Sequence, residues 1–438
     1  MKRNAMIDLI AWKNKKNRKP LLIYGARQVG KTYLLKEFGK QEFLNTIYVN
    51  FETNEIVNNI IKSNIEPKNI VKELEVIYNQ KIDPNTTLII FDEIQENPRA
   101  LTALKYFCED APLYYIVGAG SLLGVHIHRE NYSFPVGKVD SMTIYPLNFE
   151  EFLFNTGNDL LIKEIKSSFE SNKKLPATIH EKAILLYKDY LAIGGFPEVV
   201  NEYINTSSLI SAIDIQGNIL NSYRSDIRKY NSNTLSNKIL ATFDSIPNQL
   251  AKDNKKFQYK IIKKGGTSSI FNESIDWLVN AGITNKCYKT NIGVPLKMYE
   301  EIESFKLYMN DTGLLTNMSK FPIYLIKNQD AVNDLMIGML TENYVASCFI
   351  YNKLNLNYWQ SDNTSEIDFV LQSKNGLIIP VEVKSSTHTK SKSLNNYILK
   401  YNPKYSIRIS EKNFGFNNNI KSVPLYAVFC ITDESLDK

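Results

Sequence analysis

The sequence predicts an α/β fold in which a parallel sheet carries a phosphate-binding loop. Residues 25–32 read GARQVGKT and match the pattern G-x-x-x-x-G-K-[ST]. The apolar segment LLIY precedes this loop, and apolar residues at helical spacing follow it. Strand-like and helix-like segments then alternate over roughly the first 120 residues, which is typical of a parallel sheet covered by helices on both faces.

The loop has the chemistry of a phosphate cradle. Gly25 and Gly30 let the backbone wrap around phosphate oxygens, and the amides of the loop and of the next helix face the anion. Lys31 places a cation beside the β- and γ-phosphates, and Thr32 offers a hydroxyl to Mg²⁺. We therefore predict ATP and Mg²⁺ as cofactors. The residues predicted to hold ATP are Gly25, Ala26, Arg27, Gln28, Val29, Gly30, Lys31, Thr32 and Tyr33.

Polar residues end two further apolar strands. TLIIFD ends in Asp92, which can hold the Mg²⁺ shell, and the next residue, Glu93, can orient or deprotonate an attacking water. LYYIVGAG leads to Ser121, whose hydroxyl can contact the γ-phosphate or that water; a plain turn serine is the alternative. Between these strands, a helical segment has Pro98 near its start. The pattern predicts ATP hydrolysis, with Lys31, Glu93 and Ser121 as catalytic residues.

The middle of the chain divides into two modules. Residues 151–230 are mostly helical in pattern and are broken at GGFPE (194–198), which we interpret as a helical lid on the ATPase. Residues 231–320 combine a helix, a lysine run, a second helix that stops near Gly282, and a two-stranded wing. This order predicts a winged-helix-like module. Base readout, contact with a nucleic-acid backbone and a purely structural role are three open interpretations of it.

The order of the motifs GARQVGKT, LIIFDEIQ, GAGS, PLNFEEF, GGFPE and KLYMNDTGLL (306–315) resembles that of AAA-type prokaryotic ATPases. In that family a winged-helix-like segment and a C-terminal domain similar to restriction endonucleases follow the ATPase. The resemblance therefore implies an α/β chain with a P-loop ATPase domain at 1–150, a helical lid at 151–230, a winged-helix-like module at 231–320 and a restriction-endonuclease-like α/β domain at 321–438.

The chain departs from this family at one cationic position. The family usually has Gly-Arg a few residues before PLNFEEF, whereas this sequence has Gly137 and Lys138. Lysine is a point charge and lacks the planar guanidinium group with which arginine contacts phosphate in a bidentate manner. The difference matters if this position acts as an arginine finger toward a neighbouring subunit. Arg99 and Arg129 are other candidates for an arginine finger, and the sequence does not choose among them. Many ATPases of this type work as rings, so a homo-oligomer is one expectation.

The hairpin EIDFVLQSKNGLIIPVEVKSS (366–386) carries charges among apolar residues. If Asn375 is the centre of its turn, Asp368 lies opposite Glu382, and Glu366 lies opposite Lys384. All four charged groups then share one face, where they need mutual pairing, a metal or solvent because unpaired burial is too costly.

The layout D-x(n)-E-x-K resembles that of restriction-endonuclease-like nucleases, and the resemblance implies a metal site. Asp368 and Glu382 would hold Mg²⁺, and Lys384 would activate water or stabilise the phosphate. The helix GMLTENYVASCFI would contribute Glu342 as a further ligand, as the family's helix does. Gln360 and Asp362 lie close by in the sequence without a clear role. A structural ion-pair hairpin, or a nuclease fold without activity, is the alternative.

Charge and cysteine usage indicate the partners and the compartment. The net charge is +6, and two stretches, 252–264 and 384–412, concentrate Lys and Arg, which suggests contact with a polyanion, DNA more than RNA. Solvated lysine-rich faces are the alternative. Four scattered cysteines argue against a disulfide framework or a zinc site, and no apolar run reaches about 18 residues, so we expect a cytoplasmic protein without membrane contact.

Two functions follow as hypotheses. The first is an ATP-dependent nuclease or DNA-processing protein. The second is a nucleotide-dependent switch whose nuclease-like domain docks a protein or DNA without chemistry.

Overall fold

The computed structural model describes residues 1–121, 123–125, 134–327, 334–361, 365–387 and 392–438. The chain divides into two compact units. The first comprises residues 1–145 and 280–282, and the second comprises residues 146–279 and 283–438. Over the described ranges, no helix combines the length and the apolar character needed to cross a bilayer.

The first unit contains a five-stranded parallel sheet with the strand order β2-β3-β4-β1-β5. All six residues of β3 are buried, as expected for a parallel strand covered on both faces. The α/β class and the parallel sheet predicted from the sequence are thereby confirmed. The strands are β1 (Leu21–Tyr24), β2 (Asn45–Asn50), β3 (Thr87–Asp92), β4 (Tyr115–Ala119) and β5 (Asp140–Thr143).

Apolar faces of the helices build the core of the first unit. Residues of three helices pack on β2 and β3 in one hydrophobic cluster. The last of these helices begins at Pro98, and the side chain of Asn97 caps it by accepting the amides of Arg99 and Ala100. The helices are α1 (Ala5–Lys13), α2 (Lys31–Glu42), α3 (Glu55–Ser63), α4 (Pro67–Tyr78) and α5 (Pro98–Asp110), with a 3-10 turn at Ile94–Glu96.

The second unit begins with helices, as the periodicity predicts. The GGFPE motif separates two of them because Gly194 has a φ of 72° and the next helix starts at Pro197. The helices before β6 are α6 (Phe149–Asn155), α7 (Asp159–Ser171), α8 (Ala177–Ile193), α9 (Pro197–Thr206), α10 (Leu209–Lys229), α11 (Asn233–Leu250), α12 (Tyr259–Ile262) and α13 (Ser268–Asn280). Later helices are α14 (Thr312–Met318), α15 (Tyr324–Lys327), α16 (Asp334–Tyr351), α17 (Lys392–Tyr401) and α18 (Asp433–Leu436).

Two sheets complete the second unit. A four-stranded sheet has the order β7-β6-β8-β9, in which β6 and β7 pair antiparallel after α11, α12 and α13. A five-stranded mixed sheet has the order β10-β11-β12-β14-β13. The strands are β6 (Thr284–Thr290), β7 (Glu300–Met309), β8 (Asn357–Gln360), β9 (Glu366–Ile367), β10 (Phe369–Gln372), β11 (Ile378–Val383), β12 (Ser406–Ser410), β13 (Gly415–Asn417) and β14 (Ile420–Pro424). Short 3-10 helices lie at Leu296–Tyr299 and Leu425–Cys430.

The charged hairpin has the register expected from its turn. Phe369 pairs with Val381 and Gln372 pairs with Ile378, so the pairing is centred on position 375. One detail differs from the expectation. Residue 366 lies on the separate short strand β9, which pairs with β8 instead of extending the hairpin. The charged side chain at 366 therefore has a different set of neighbours from its counterpart across the turn.

Candidate functional site

The phosphate loop joins β1 to α2 through backbone that favours glycine. Gly25 has a φ of 144°, Gln28 a φ of 66° and Gly30 a φ of 87°. A Cβ atom at Gly25 would lie 2.3 Å from the carbonyl oxygen of Ile144, so a larger residue cannot occupy that position without moving the backbone. The loop therefore has the shape that its glycines predict, and it ends at the first residue of α2.

Lys31 points back into the loop. Its Nζ donates to the carbonyl oxygens of Gly25 at 2.9 Å and Ala26 at 2.8 Å, and its side chain is buried. Burial lowers the pKa of Lys31 to about 8, although the carboxylates of Glu93 and Asp92 act in the opposite direction. The Lys31 ammonium is thus hydrogen-bonded to neutral carbonyl groups. A negatively charged phosphate oxygen would bind it more strongly than these carbonyl groups do.

Asp92, at the end of β3, accepts hydrogen bonds from several groups near the predicted Mg²⁺ site. Its Oδ2 accepts hydrogen bonds from the Thr32 hydroxyl at 2.7 Å and from the Tyr48 hydroxyl at 2.8 Å. Its Oδ1 accepts from the Glu93 amide at 3.0 Å. Two predicted metal-site residues separated by 60 positions are therefore in direct contact. Tyr48 was not predicted from the sequence.

Glu93 lies one residue beyond Asp92 with a φ of 50°. Its Oε2 accepts a hydrogen bond from Gln95 Nε2 at 2.6 Å and from the Ser121 hydroxyl at 3.3 Å. The structure thus brings together Glu93 and Ser121, two of the predicted catalytic residues. Gln95 is an additional residue that orients the glutamate, and the sequence signal for it was only its position beside the Asp-Glu pair.

This donor set fits a nucleotide with its magnesium ion. Thr32 and Asp92 provide the hard oxygen atoms that Mg²⁺ prefers, and Lys31 provides the cation for phosphate oxygens. The ion would supply charge neutralisation and Lewis acidity at the γ-phosphate. With a nucleotide bound, the loop would hold the phosphates and Glu93 would be placed to orient a water.

Tyr48 supports a specific prediction on magnesium dependence. Burial and the neighbouring Asp92 raise the pKa of Tyr48 to about 12, so its hydroxyl stays protonated and keeps donating to Asp92. Tyr48→Phe should raise the Mg²⁺ concentration that gives half-maximal ATP hydrolysis about 5- to 10-fold, because a hydrogen bond to a charged group that orients Asp92 is lost. Nucleotide binding measured without Mg²⁺ should be unchanged.

Tyr78→Phe is the matched control for this prediction. The Tyr78 hydroxyl donates to the backbone oxygen of Tyr48 at 2.8 Å, so its loss removes a hydroxyl from the same region while the bond to Asp92 is kept. An equal Mg²⁺ shift in both variants would show that the effect is one of general packing, and would contradict a positioning role for Tyr48.

The other described loop residues and finger candidates differ in exposure. Ala26 and Val29 are buried, whereas Tyr33 is 54% exposed. Arg99 lies exposed in the first turn of α5. Lys138 forms an ion pair with Glu109 at 2.8 Å. Arg129 lies outside the described residues. The nucleotide contacts assigned to the loop, and the choice of finger, stay predictions.

In the second unit Glu342 is surrounded by cations and a hydroxyl. Lys306 Nζ lies 3.0 Å from Glu342 Oε1, Lys255 forms an ion pair with Oε2, and Tyr308 donates to Oε1. Burial acts to raise the pKa of Glu342, but Lys255 and Lys306 outweigh it and lower that pKa to about 2. None of these three partners was among the residues predicted for this site. The only sequence signal was a lysine inside the apolar strand FKLYM.

The hairpin carboxylates have separate partners. Asp368 Oδ2 accepts the amide of Val383 at 2.8 Å, and Lys384 pairs with Glu382 Oε1 at 2.9 Å. Burial and the Glu342 carboxylate raise the pKa of Asp368 to about 7. Glu366, expected opposite Lys384, instead pairs with Lys306 at 2.6 Å. It does so because β9 leaves the hairpin to join β8.

Within the described ranges, no group of three or more His, Cys, Asp or Glu side chains is placed to hold a metal ion. Glu342, Asp368 and Glu382 thus do not form a ready three-carboxylate ligand set, and their metal role stays a prediction. Gln360 ends β8 opposite Glu366, and Asp362 lies outside the described residues.

The two basic stretches are only partly available to a polyanion. In the first, Lys255 is engaged with Glu342. Its exposed members are Lys252, Lys260, Lys263 and Lys264. In the second, Lys384 is engaged with Glu382. Its exposed members within the described residues are Lys392, Lys400, Lys404 and Lys412.

The fold and the first site together define a P-loop nucleotide-binding domain. A family comparison agrees, because residues 17–153 match the family described as AAA domain. The first unit therefore carries a P-loop domain of the AAA ATPase type. Residues 184–323 match a domain of unknown function, DUF8612, and residues 337–428 match another, DUF4143. A comparison with curated proteins gave no match.

Solved structures show weak similarity over much of the chain. The ORC1 protein of Aeropyrum pernix in complex with DNA is 12% identical, with 74% of this chain and 92% of that chain covered and a TM-score of 0.28. The ORC2 protein of the same organism, with ADPNP and ADP, is 12% identical over 74% and 94%, with a TM-score of 0.36. A STAND protein with a tetratricopeptide repeat sensor from Pyrococcus horikoshii is 13% identical over 81% and 49%, with a TM-score of 0.27. Similarities of this strength say nothing about function.

Proposed function

We propose that this chain hydrolyses ATP in its first unit and uses the cycle to act on or at nucleic acid through its second unit. The contact between Thr32 and Asp92, 2.7 Å long, carries the first part of the proposal. It joins the hydroxyl of the phosphate loop to the carboxylate at the end of β3, where a magnesium ion would complete the site. Glu93, held by Gln95 and Ser121, is the residue that orients water.

Steady-state phosphate release by the full chain with MgATP tests the proposal. Lys31→Ala should abolish ATP binding and turnover, because the ammonium that meets the phosphates is removed. Lys40→Ala is the matched control, since Lys40 lies exposed on the same helix α2. If Lys31→Ala bound ATP with the affinity of the unaltered chain, the proposed site would be wrong.

For the second unit we propose the arrangement implied by the resemblance. Its parts are a lid at 151–230, a winged-helix-like module at 231–320 and a restriction-endonuclease-like domain at 321–438, after an ATPase domain that ends near residue 150. The order α11, α12, α13, β6, β7 supports the winged-helix-like part, because three helices precede an antiparallel pair of strands. The exposed lysines in and directly after α12 make this module the first candidate for DNA contact.

Salt dependence tests the DNA contact. Each neutralised phosphate contributes about −0.9 to the slope of log K against log salt concentration. Replacing Lys260, Lys263 and Lys264 by alanine should therefore make the slope less negative by about 2 to 3 and weaken binding at low salt. Binding of fluorescent duplex DNA should be titrated by anisotropy from low to moderate NaCl concentrations.

A triple variant elsewhere in the second unit controls for net charge. Lys163, Lys173 and Lys174 are exposed and lie outside both basic stretches. Their replacement by alanine removes the same total charge. An equal change of slope in both triple variants would indicate a general effect of charge and would contradict a binding surface beside α12.

A nuclease activity of the C-terminal domain is the second candidate function. One observation favours it: Glu382 is buried, and its Oε2 has no hydrogen-bond partner among the described residues. That oxygen is available for a hard cation, and Asp368 is held at the same end of the hairpin, because its carboxylate accepts the amide of Val383, the residue after Glu382. Lys384, at Glu382 Oε1, would hold the water or the phosphate.

The nuclease assay uses single- and double-stranded DNA and RNA with Mg²⁺ or Mn²⁺, each with and without ATP. Lys384→Ala should abolish cleavage, whereas Lys374→Ala, at the exposed turn of the same hairpin, should leave it unchanged. No cleavage by the unaltered chain under any condition would favour the switch hypothesis, in which the domain docks a partner without chemistry.

A further inference from the structure

The motif KLYMND places a lysine in the interior of the second unit. Lys306 lies on β7, and its side chain is fully buried. A buried ammonium requires counter-charges, since its transfer from water is otherwise too costly. Its Nζ lies 3.0 Å from Oε1 of Glu342 on α16 and 2.6 Å from Oε1 of Glu366 on β9. Lys306 therefore joins carboxylates from two different elements.

A second lysine completes the charge balance. Lys255, from the segment between α11 and α12, pairs with Oε2 of Glu342, and the Tyr308 hydroxyl donates to Oε1. Both oxygens of Glu342 are thus engaged by protein groups. Two ammonium groups face two carboxylates, so Lys255, Lys306, Glu342 and Glu366 are formally neutral as a set. We call these four residues the lysine–glutamate cluster.

The neighbouring carboxylates of the hairpin also have contacts of their own. Glu382 has its own ammonium partner in Lys384, and Asp368 accepts the amide of Val383. Asp368 does interact electrostatically with Lys306. A metal ion held through Glu342 would compete with two ammonium groups and the Tyr308 hydroxyl for the same carboxylate, and the Lys306 charge would repel it at close range.

We propose that Lys306 is the resident cation of the lysine–glutamate cluster, so that Glu342 is not a metal ligand in this chain. Glu342 then has a different role from the one that the resemblance implied. Its second oxygen anchors Lys255 and with it the start of the lysine-rich segment at 252–264. The cluster ties this segment, β7, α16 and β9 together through ion pairs.

Binding of Mn²⁺ to the full chain tests the proposal directly. The titration is followed by the paramagnetic resonance signal of free Mn²⁺, without nucleotide and with Asp92→Asn in every variant to remove the contribution of the phosphate-loop site. Because neither ATP nor turnover is involved, a failure of the proposed ATPase function would leave this result unaffected. The measurement also does not depend on nuclease activity.

We expect Glu342→Gln to leave Mn²⁺ binding by the chain unchanged. Lys306→Met should strengthen Mn²⁺ binding at least about tenfold, because removal of the ammonium frees a carboxylate pair and ends the charge repulsion. Adding Glu342→Gln to Lys306→Met should abolish the gain. Tenfold weaker binding in Glu342→Gln alone would overturn the proposal, and so would a folded Lys306→Met variant without any gain.

Thermal unfolding provides the second measurement, because Lys306→Met leaves buried carboxylates without their cation. The double variant Lys306→Met with Glu366→Gln should melt at a higher temperature than Lys306→Met alone, or should recover folding if the single variant does not fold. Adding Glu366→Gln to Lys384→Met, the control for an ammonium paired with another glutamate, should give no such recovery. Equal behaviour of the two pairs of variants would overturn the proposal.

Discussion

Replacing Glu93 by glutamine is expected to slow ATP hydrolysis by about 10²- to 10⁴-fold, which is the range for losing a positioned general base. Glutamine has the same size, so its side-chain oxygen can still accept from Gln95 and Ser121, but it cannot take a proton from water. Asp92, Thr32 and the phosphate loop are untouched. ATP binding should therefore be retained, and the variant should trap the nucleotide.

The measurement pairs steady-state phosphate release with binding of a fluorescent ATP analogue. Glu96→Gln is the matched control, because Glu96 lies exposed in the same 3-10 turn after β3. It should hydrolyse ATP at the unaltered rate. A rate for Glu93→Gln within tenfold of the control would contradict a role as base and would leave Glu93 as one more polar residue at the strand end.

Those parts of the fold and site that depend on contiguous sequence were predictable. The strand, loop and helix of the predicted phosphate site occupy residues 21–42 without interruption, so composition and spacing sufficed to predict them. The register of the charged hairpin followed from its turn, because pairing in a hairpin is a reflection about the turn centre. The strand ending in Asp92 was evident from its apolar run.

Long-range pairings were not predictable from one sequence. Tyr48 contacts Asp92 because β2 lies beside β3. The order of strands in a sheet cannot be deduced from the sequences of the strands alone. Glu342 was assigned to a metal on the basis of resemblance, whereas its lysine partners come from segments 36 and 87 residues away. The charged residues in apolar segments indicated that oppositely charged partners must exist, because unpaired burial of a charge is too costly. The topology of the fold determines which residues are those partners.

Asp311 is the clearest case of two sequence motifs joined by the fold. It lies in KLYMNDTGLL, is 3% exposed, and caps α14 by accepting the amide of Leu314 at 2.9 Å. Its other oxygen accepts the amide of Gly195, in GGFPE, at 2.7 Å. A Cβ atom at Gly194 would lie 2.2 Å from the Asp311 carboxylate, so the glycine is required for this close approach. The Asp311 carboxylate therefore connects the segment between α8 and α9 to the first turn of α14 by hydrogen bonds.

Asp311→Ala is expected to lower the free energy of unfolding of the second unit by about 2–4 kcal/mol, the sum of a lost helix cap and a buried amide left without an acceptor. Urea unfolding should be followed at pH 8, because burial raises the pKa of Asp311 to about 6 and the side chain is then ionised.

Ser232→Ala, at the cap of α11, is the matched control. Its more exposed cap bond should cost about 1 kcal/mol when lost. Asp311→Asn separates the two contributions, because its side-chain oxygen can still accept the amide of Leu314 while its NH2 group faces the amide of Gly195, a second donor. Its decrease in the free energy of unfolding should therefore lie between the decreases for Asp311→Ala and Ser232→Ala. Equal losses for Asp311→Ala and Ser232→Ala would mean that the bond to Gly195 adds nothing, and that the two motifs act independently.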